Sequence, residues 1–366
     1  MRCEWGDLIS LEYGKPVSDK DSVNGKYPVF GTNGQIGTSN LPPLCPHSSF
    51  VIGRKGAYRG VHYSDVPFSV IDTAFYVESK KPDILDIKWA YYKFLTYDIN
   101  HMDSGSAIPS TDRYEIYSID VDLPSIDVQK KIAAILSALD EKIAINREIN
   151  DNLYAQAKAI FDNHFINIDA IPAGWRKGDL LGIANYLNGL AMQKFRPQGH
   201  EIGLPVLKIK ELRQGSCDDS SELCSLSIKP EYIIHNGDVV FSWSGSLLVD
   251  IWCGGTCGLN QHLFKVTSDV YDKWFYYLWT AHHLARFIAI AADKATTMGH
   301  IKREELAKAE VLIPCEEDYT NFNSIMQPIF ELIISNRIES RKLATLRDEL
   351  LPKLMSGEID VSAVQL

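Results

Sequence analysis

At 366 residues, with 45% hydrophobic and 23% charged side chains, the chain has ordinary globular composition and the length for two domains with full cores. No apolar run approaches the length of a bilayer span, and the N-terminus MRCEWGDLIS lacks the zones of a signal peptide, so a cytoplasmic protein with no membrane partner is expected. A formal net charge of -10 excludes a chain that grips nucleic acid by bulk electrostatics, which leaves any such role to local basic loops or to partners.

Taken in chain order, the first distinctive stretch is YPVFGTNGQIGTSN, Tyr27 to Asn40, with Gly31, Gly34 and Gly37 at three-residue spacing. A phosphate-cradling loop needs a helix directly behind it. Here Leu41-Pro42-Pro43 and Pro46 follow, so the stretch reads as turn chemistry between strands. Phe50-Val51-Ile52 leads into the loop GRKGAYRG, Gly53 to Gly60. Trp89-Ala90-Tyr91-Tyr92 reads as an aromatic helix packed on a sheet, and Val121-Asp122-Leu123-Pro124 closes the segment.

The chain is then written a second time. Trp5-Gly6-Asp7-Leu8 returns as Trp175 with Gly178-Asp179-Leu180, and Tyr27-Pro28-Val29 as Leu204-Pro205-Val206. Phe50-Val51-Ile52 matches Val239-Val240-Phe241, and the segment from Asp72 to Val77 matches Gln261 to Val266 in pattern. Trp89 to Tyr92 returns as Trp274 to Tyr277, and Val121 to Pro124 as Val311 to Pro314. After each closing proline comes a long helical stretch with a 3/4-spaced seam: Ile135, Leu139, Asn146, Leu153 and Ile160 in the first, and Ile325, Ile329, Asn336, Leu343 and Leu350 in the second. Asn146 and Asn336 take equivalent places, either as buried amides that fix register or as residues of a solvated face.

The expected fold is α/β (α+β), with two similar domains and an antiparallel pair of long helices, pseudo-two-fold symmetric within one chain. The expected boundaries are 1–124 for the first domain, 125–167 for the first spacer helix, 168–314 for the second domain, and 315–366 for the second helix and tail. A spacer of about 38 residues at about 1.5 Å per residue predicts heads roughly 57 Å apart.

The stretch VDLPSIDVQKKIAAILSALDEKIAINREINDNLYAQAKAIF, together with YPVFGTNGQIGTSN, resembles the specificity subunits of type I restriction-modification systems (HsdS) over nearly the whole chain. The resemblance implies two target-recognition domains, each reading one half of a split double-stranded DNA sequence, with helices that set the gap. Its implied partners are two modification methyltransferase subunits, joined by restriction subunits in the full complex. The second copy reads IPCEEDYTNFNSIM where the first reads LPSIDVQKKIAAIL, so it lacks the glutamine and basic pair of that junction.

Within such a domain, Asn33 and Gln35 would present amides to base edges. Arg54, Lys55 and Arg59 are candidates for guanine and phosphate contacts, with a solvated charge cluster as the alternative. The matching loop SWSGSLLVD supplies Ser242 and Ser244, so the frames agree while the tips differ, which implies an asymmetric target. SGSAIPSTDR and ATTMGHIKR place Ser106, Thr111, Arg113, Thr297, His300 and Lys302 ahead of the last strand, as phosphate contacts or helix caps. Lys194, Arg196, Lys208, Lys210 and Arg213 add basic contacts, and the alternation through Leu207 and Ile209 predicts a strand with one wet face.

No catalytic residue, metal or cofactor is expected. Asp65 with Glu78 and Lys80 has the spacing of a nuclease triad only as chance supplies it, and no methyltransferase Asn- or Asp-Pro-Pro-aromatic loop is found. Cys253, Cys257 and His262 lack the second cysteine pair of a structural zinc site, and the seven cysteines show no disulfide framework. A two-headed protein-interaction scaffold without direct DNA readout fits the repeat equally well.

Overall fold

The computed structural model describes residues 1–102, 109–293 and 299–365. They form two compact units, Met1–Glu141 with Ala344–Leu366, and Lys142–Leu343. The first contains β1 (Arg2–Glu4), α1 (Trp5–Leu8), β2 (Ile9–Tyr13), β3 (Tyr27–Gly31), β4 (Gly34–Ser39), β5 (Ser49–Gly53), β6 (Val61–Ser64), β7 (Ser69–Val70), β8 (Ala74–Ser79), α2 (Ile87–Phe94), α3 (Arg113–Tyr117), β9 (Asp120–Asp122) and the start of α4 (Ile126–Phe161). Its antiparallel sheet runs β2-β8-β5-β6, a second sheet runs β4-β3-β7 with β3 parallel to β7, and β1 pairs with β9.

The second unit contains β10 (Arg176–Asp179), α5 (Leu180–Ile183), β11 (Asn185–Asn188), β12 (Leu204–Leu207), α6 (Ile209–Gln214), β13 (Leu223–Cys224), β14 (Ile233–Ile234), β15 (Val239–Ser242), β16 (Leu248–Ile251), β17 (Cys257–Leu259), β18 (Leu263–Thr267), α7 (Lys273–Asp293), α8 (Arg303–Ala307), β19 (Glu310–Ile313) and most of α9 (Glu316–Ser356). Its sheets run β11-β18-β15-β16 and β13-β12-β17-β14, with β12 parallel to β17 and β10 paired with β19. The two topologies are therefore one plan used twice.

Strand register fixes which residues correspond. Val51 opposite Tyr76 and Ile52 opposite Phe75 match Val240 opposite Lys265 and Phe241 opposite Phe264, as the sequence repeat predicts. The first tetrapeptide does not match as predicted. Trp5 N–H bonds to Ile119 O at 3.1 Å and Leu180 N–H to Ala309 O at 3.2 Å, so Trp5 corresponds to Leu180, and Gly178-Asp179 belongs to the strand before it. Trp175 instead donates its Nε1–H to Asp318 Oδ2 at 2.7 Å.

The aromatic helices face the sheets. Trp89, Ala90, Tyr92 and Phe94 of α2 pack with Trp5 and Phe50, and Trp274 to Trp279 of α7 pack with Phe161, Phe165 and Phe241. Asp86 caps α2 by accepting Trp89 N–H at 2.7 Å.

Helices α4 and α9 pair antiparallel inside each unit. In the first, Ile132, Ala133 and Leu136 share a core with Leu354, Met355 and Val361, and Arg347 Nη1 donates to Asp140 Oδ1 at 2.6 Å. In the second, Asn146 Nδ2 donates to Glu339 Oε2 at 2.7 Å, Asn150 Nδ2 to Ile333 O at 3.1 Å, and Asn336 Nδ2 to Asn150 Oδ1 at 3.0 Å. Asn146 is 1% exposed and Asn336 9%. The innermost stripe is Ile143, Asn146, Ala157 and Phe161 with Met326, Phe330, Ile333 and Asn336.

The seam drawn from sequence lies mostly on that stripe's flank. Ile135, Leu139, Leu153, Ile160, Ile329, Leu343 and Leu350 are half-buried, and Ile325 is exposed. Two neighbouring stripes satisfy the same 3/4 spacing, and packing of Ala157, Phe161 and Phe165 into the aromatic core selects the inner one.

Candidate nucleic-acid interface

Three separate stretches of the first unit meet at one place. β3 and β4 form a hairpin whose turn is Thr32-Asn33, and Thr32 Oγ1 lies 2.8 Å from both Lys55 O and Thr73 O. Gly60 N–H bonds to Thr32 O at 3.0 Å, which ties the hairpin to the Gly53–Gly60 loop. On the loop's other side, Gly56 N–H bonds to Pro109 O at 3.0 Å and Thr111 N–H to Arg54 O at 2.8 Å. Sequence singled out all three stretches; their convergence is a product of the fold.

The glycine spacing follows from this packing. Gly34 takes φ +114° at the hairpin turn, and a side chain on Gly37 would meet Lys20 O at 2.0 Å. Asn33 and Gln35 are exposed beside the turn, and Gln35 Nε2 donates to Gly37 O at 3.2 Å.

The basic residues separate into outward and inward groups. Arg54 is half-buried, its guanidinium 4.8 Å from the Tyr13 ring centroid, with Nη1 donating to Asp72 O at 3.0 Å. Lys55 Nζ lies 3.6 Å from Asp72 Oδ2. Arg113 opens α3 with its guanidinium 5.1 Å from the same Tyr13 ring and 5.0 Å from that of Tyr114.

Two expected contacts are corrected. Arg59 is 3% exposed, and its Nη2 donates to Asn100 O at 2.6 Å and Ile99 O at 3.3 Å, so it braces the loop from inside. Thr111 is buried, with Oγ1 donating to Gly53 O at 3.1 Å. Ser106 and Thr297 lie outside the described residues.

The second unit rebuilds the frame with other side chains. Gly245 N–H bonds to Gly299 O at 2.9 Å and Ile301 N–H to Trp243 O at 3.1 Å, the counterparts of the Gly56 and Thr111 bonds. Ser242 and Ser244 are buried and so are corrected as contacts: Ser242 Oγ donates to Ser244 O at 3.2 Å, and Ser244 Oγ meets His262 Nδ1 at 3.0 Å. His300 and Lys302 are exposed at the frame's edge.

No hairpin follows β12. The strand predicted through Lys208 and Lys210 is instead α6, because Lys208 N–H bonds to Glu211 Oε2 at 3.2 Å and Gly215 ends the helix with φ +80°. Lys208 pairs with Glu222 at 2.6 Å, Lys210 with Asp218 at 3.5 Å, and Arg196 with Glu222 at 3.7 Å, while Lys194 and Arg213 are exposed.

Sequence reasoning passed over Tyr13, Asn188 and Trp243. Tyr13 opposes Phe75 as Asn188 opposes Phe264, so the signal was the strand register, which the repeat drawn on Trp5 and Trp175 had displaced.

Among the described residues, one group has metal-ligand spacing: Cys45, His47 and Glu78. His47 Nε2 meets Glu78 Oε2 at 2.9 Å, and burial pushes the Cys45 thiol up to about 11, so a histidine–carboxylate hydrogen bond beside a neutral thiol accounts for the group. Cys257 does not join His262, whose Nδ1 is taken by Ser244, and the Cys253 thiol contacts Ile251 O at 3.7 Å.

Fold and site together define a protein of two like modules whose loops carry unlike chemistry. Residues 3–155 match the family model described as the type I restriction modification DNA specificity domain. The type I restriction enzyme MjaIX specificity subunit of Methanocaldococcus jannaschii is 26% identical over 75% of this chain and 69% of its own length. The MjaVIII specificity subunit of the same organism is 21% identical over 97% and 92%. The crystal structure of the type I restriction-modification S subunit from M. genitalium has the same fold, with a TM-score of 0.62 and 16% identity over 97% of this chain and 95% of that one. Residues 3–155 thus match a type I restriction modification DNA specificity domain, and the chain as a whole is similar to type I restriction enzyme specificity subunits.

Proposed function

We infer that this chain is the DNA target-recognition subunit of a type I restriction-modification complex, and that each unit reads one half of a bipartite, asymmetric double-stranded target. The observation that carries this is the twice-built loop frame, held by matching backbone bonds and tipped with Arg54 and Lys55 in one copy and Trp243 in the other. A frame kept constant while its tips differ suits a protein that must read two different sequences with one docking geometry.

The recognition modules in this proposal are 1–124 and 168–314, and the spacer helices 125–167 and 315–366 set the gap and dock two modification methyltransferase subunits, with restriction subunits joining them. Ile145, Ile149, Ile325 and Leu332 are exposed apolar side chains on the α4 and α9 segments of the second unit, which docked subunits would cover. No helix among the described residues is long and apolar enough to cross a membrane.

With net charge -10, the chain alone is expected to bind duplex DNA weakly and with steep salt dependence, and tightly only when bound to its methyltransferase. Fluorescence anisotropy of target duplexes with the chain, the methyltransferase and their complex tests this. Sequence-selective binding by the complex supports the function. A complex with no preference over random duplex favours the protein-scaffold alternative.

A further inference from the structure

Arg54 and Trp243 occupy one position of the repeated frame. Each donates its backbone N–H to the residue before the neighbouring strand, Arg54 to Thr73 O at 2.9 Å and Trp243 to His262 O at 3.4 Å. Each side chain lies 5.8 Å from a phenylalanine ring of that strand, Phe75 or Phe264. Each then meets the last residue of the edge strand: the Arg54 guanidinium stacks 4.8 Å from the Tyr13 ring centroid, and Trp243 Nε1 donates to Asn188 Oδ1 at 3.0 Å. An arginine opens the following helix in both copies. Arg113 sits 5.1 Å from the Tyr13 ring, whereas Arg303 Nη1 donates to Tyr186 O at 3.2 Å.

The same position therefore carries opposite chemistry. In the first unit, two guanidiniums share one half-exposed phenol ring, and among the described residues neither is hydrogen-bonded to a carboxylate. The ring attracts each cation while the cations repel one another, so a ligand presenting two acceptors to this surface is favoured. Guanine offers that pair as O6 and N7 in the major groove. In the second unit, the indole's single donor is spent on Asn188 Oδ1, so Trp243 offers carbon to a ligand. The complementary base feature is the thymine methyl group.

We propose that residues 54 and 13 in the first unit and 243 and 188 in the second are the equivalent base-reading position, taking guanine in one half-site and thymine in the other. The inference rests on the DNA-reading function above. Its test is genome-wide mapping of methylated sites in cells carrying the modification complex, with unchanged melting temperature as the control for folding. The wild-type motif is expected to require guanine at one place in one half and thymine at one place in the other.

Arg54→Gln is expected to lower the guanine discrimination by roughly 5- to 150-fold, the range of one bidentate contact, with the other half-site unchanged. Arg54→Lys keeps the charge without the fork and is expected to relax the same base. Trp243→Ala is expected to relax thymine in the other half alone. A split motif that both Arg54 variants and Trp243→Ala leave intact overturns this inference and leaves the proposed function standing, whereas one that they change in both halves alike overturns both. A wild-type complex that methylates no split motif overturns both.

Discussion

Arg54 and Arg59 share one eight-residue loop and have opposite roles. Arg54 lies on an exposed tyrosine, whereas Arg59 turns inward onto the carbonyls of Ile99 and Asn100 with Nε and Nη1 buried and unpartnered among the described residues. Removing Arg59 strips donors from two carbonyls and leaves the outward side chains of the loop in place. Arg59→Ala is expected to destabilise the chain by about 1–3 kcal/mol in urea unfolding while the methylated motif stays unchanged. A changed base in the motif at full stability would return Arg59 to the reading surface.

Protonation gives a second test at this scale. Burial holds His62, His282 and His283 below the usual imidazole range. In the unfolded chain these rings take up protons near pH 6.5, whereas the fold keeps them neutral further down, so the unfolded state binds more protons and stability falls as pH drops below about 6.5. The urea midpoint is expected to be lower at pH 5.5 than at pH 7.5, and His282→Gln with His283→Gln to reduce that difference. An equal difference in the double variant would place the titration elsewhere.

Among elements, the β3–β4 hairpin explains the glycines that a nucleotide loop would have claimed. Gly37→Ala drives a methyl group into Lys20 O and is expected to cost about 1–3 kcal/mol, while Gly31→Ala meets side-chain methyl groups of Ile36 and Ile71 no nearer than 3.2 Å and is expected to cost less than about 1 kcal/mol. Equal melting temperatures for the two variants would contradict the close approach at Gly37.

The hairpin was legible because glycine and proline punctuate it locally. The helix Ile209–Gln214 was not: Lys208 and Lys210 alternate with apolar residues as a strand would, but the Glu211 cap and Gly215 terminator prevail. The junction glutamine was legible as a difference between copies, and its role was not. Gln129 Nε2 donates to Ile84 O and Pro124 O, both at 2.9 Å, and its Oε1 accepts Asp86 N–H at 2.9 Å. In the second copy Tyr319 Oη accepts Asp272 N–H at 2.7 Å, so a phenol replaces the amide in anchoring the long helix to the aromatic one. The glutamine's internal bonds are thus replaced, within the second copy, by those of a tyrosine.

At the scale of the molecule, the duplicated plan was the most legible feature, since strand patterns, aromatic helices and closing prolines recur in order and long elements carry strong periodicity. Which side chains share a surface depended on register, and a shift of a few residues at Trp175 hid the equivalence of Tyr13 with Asn188. The central claim is that the two copies read two different half-sites. Single-molecule sequencing of genomic DNA from cells expressing this chain with its methyltransferase tests it directly. The account predicts one split motif whose two specified halves differ, each altered only by changes in its own copy of the frame. A continuous or palindromic motif, or one altered in both halves by Arg54→Gln, would contradict it.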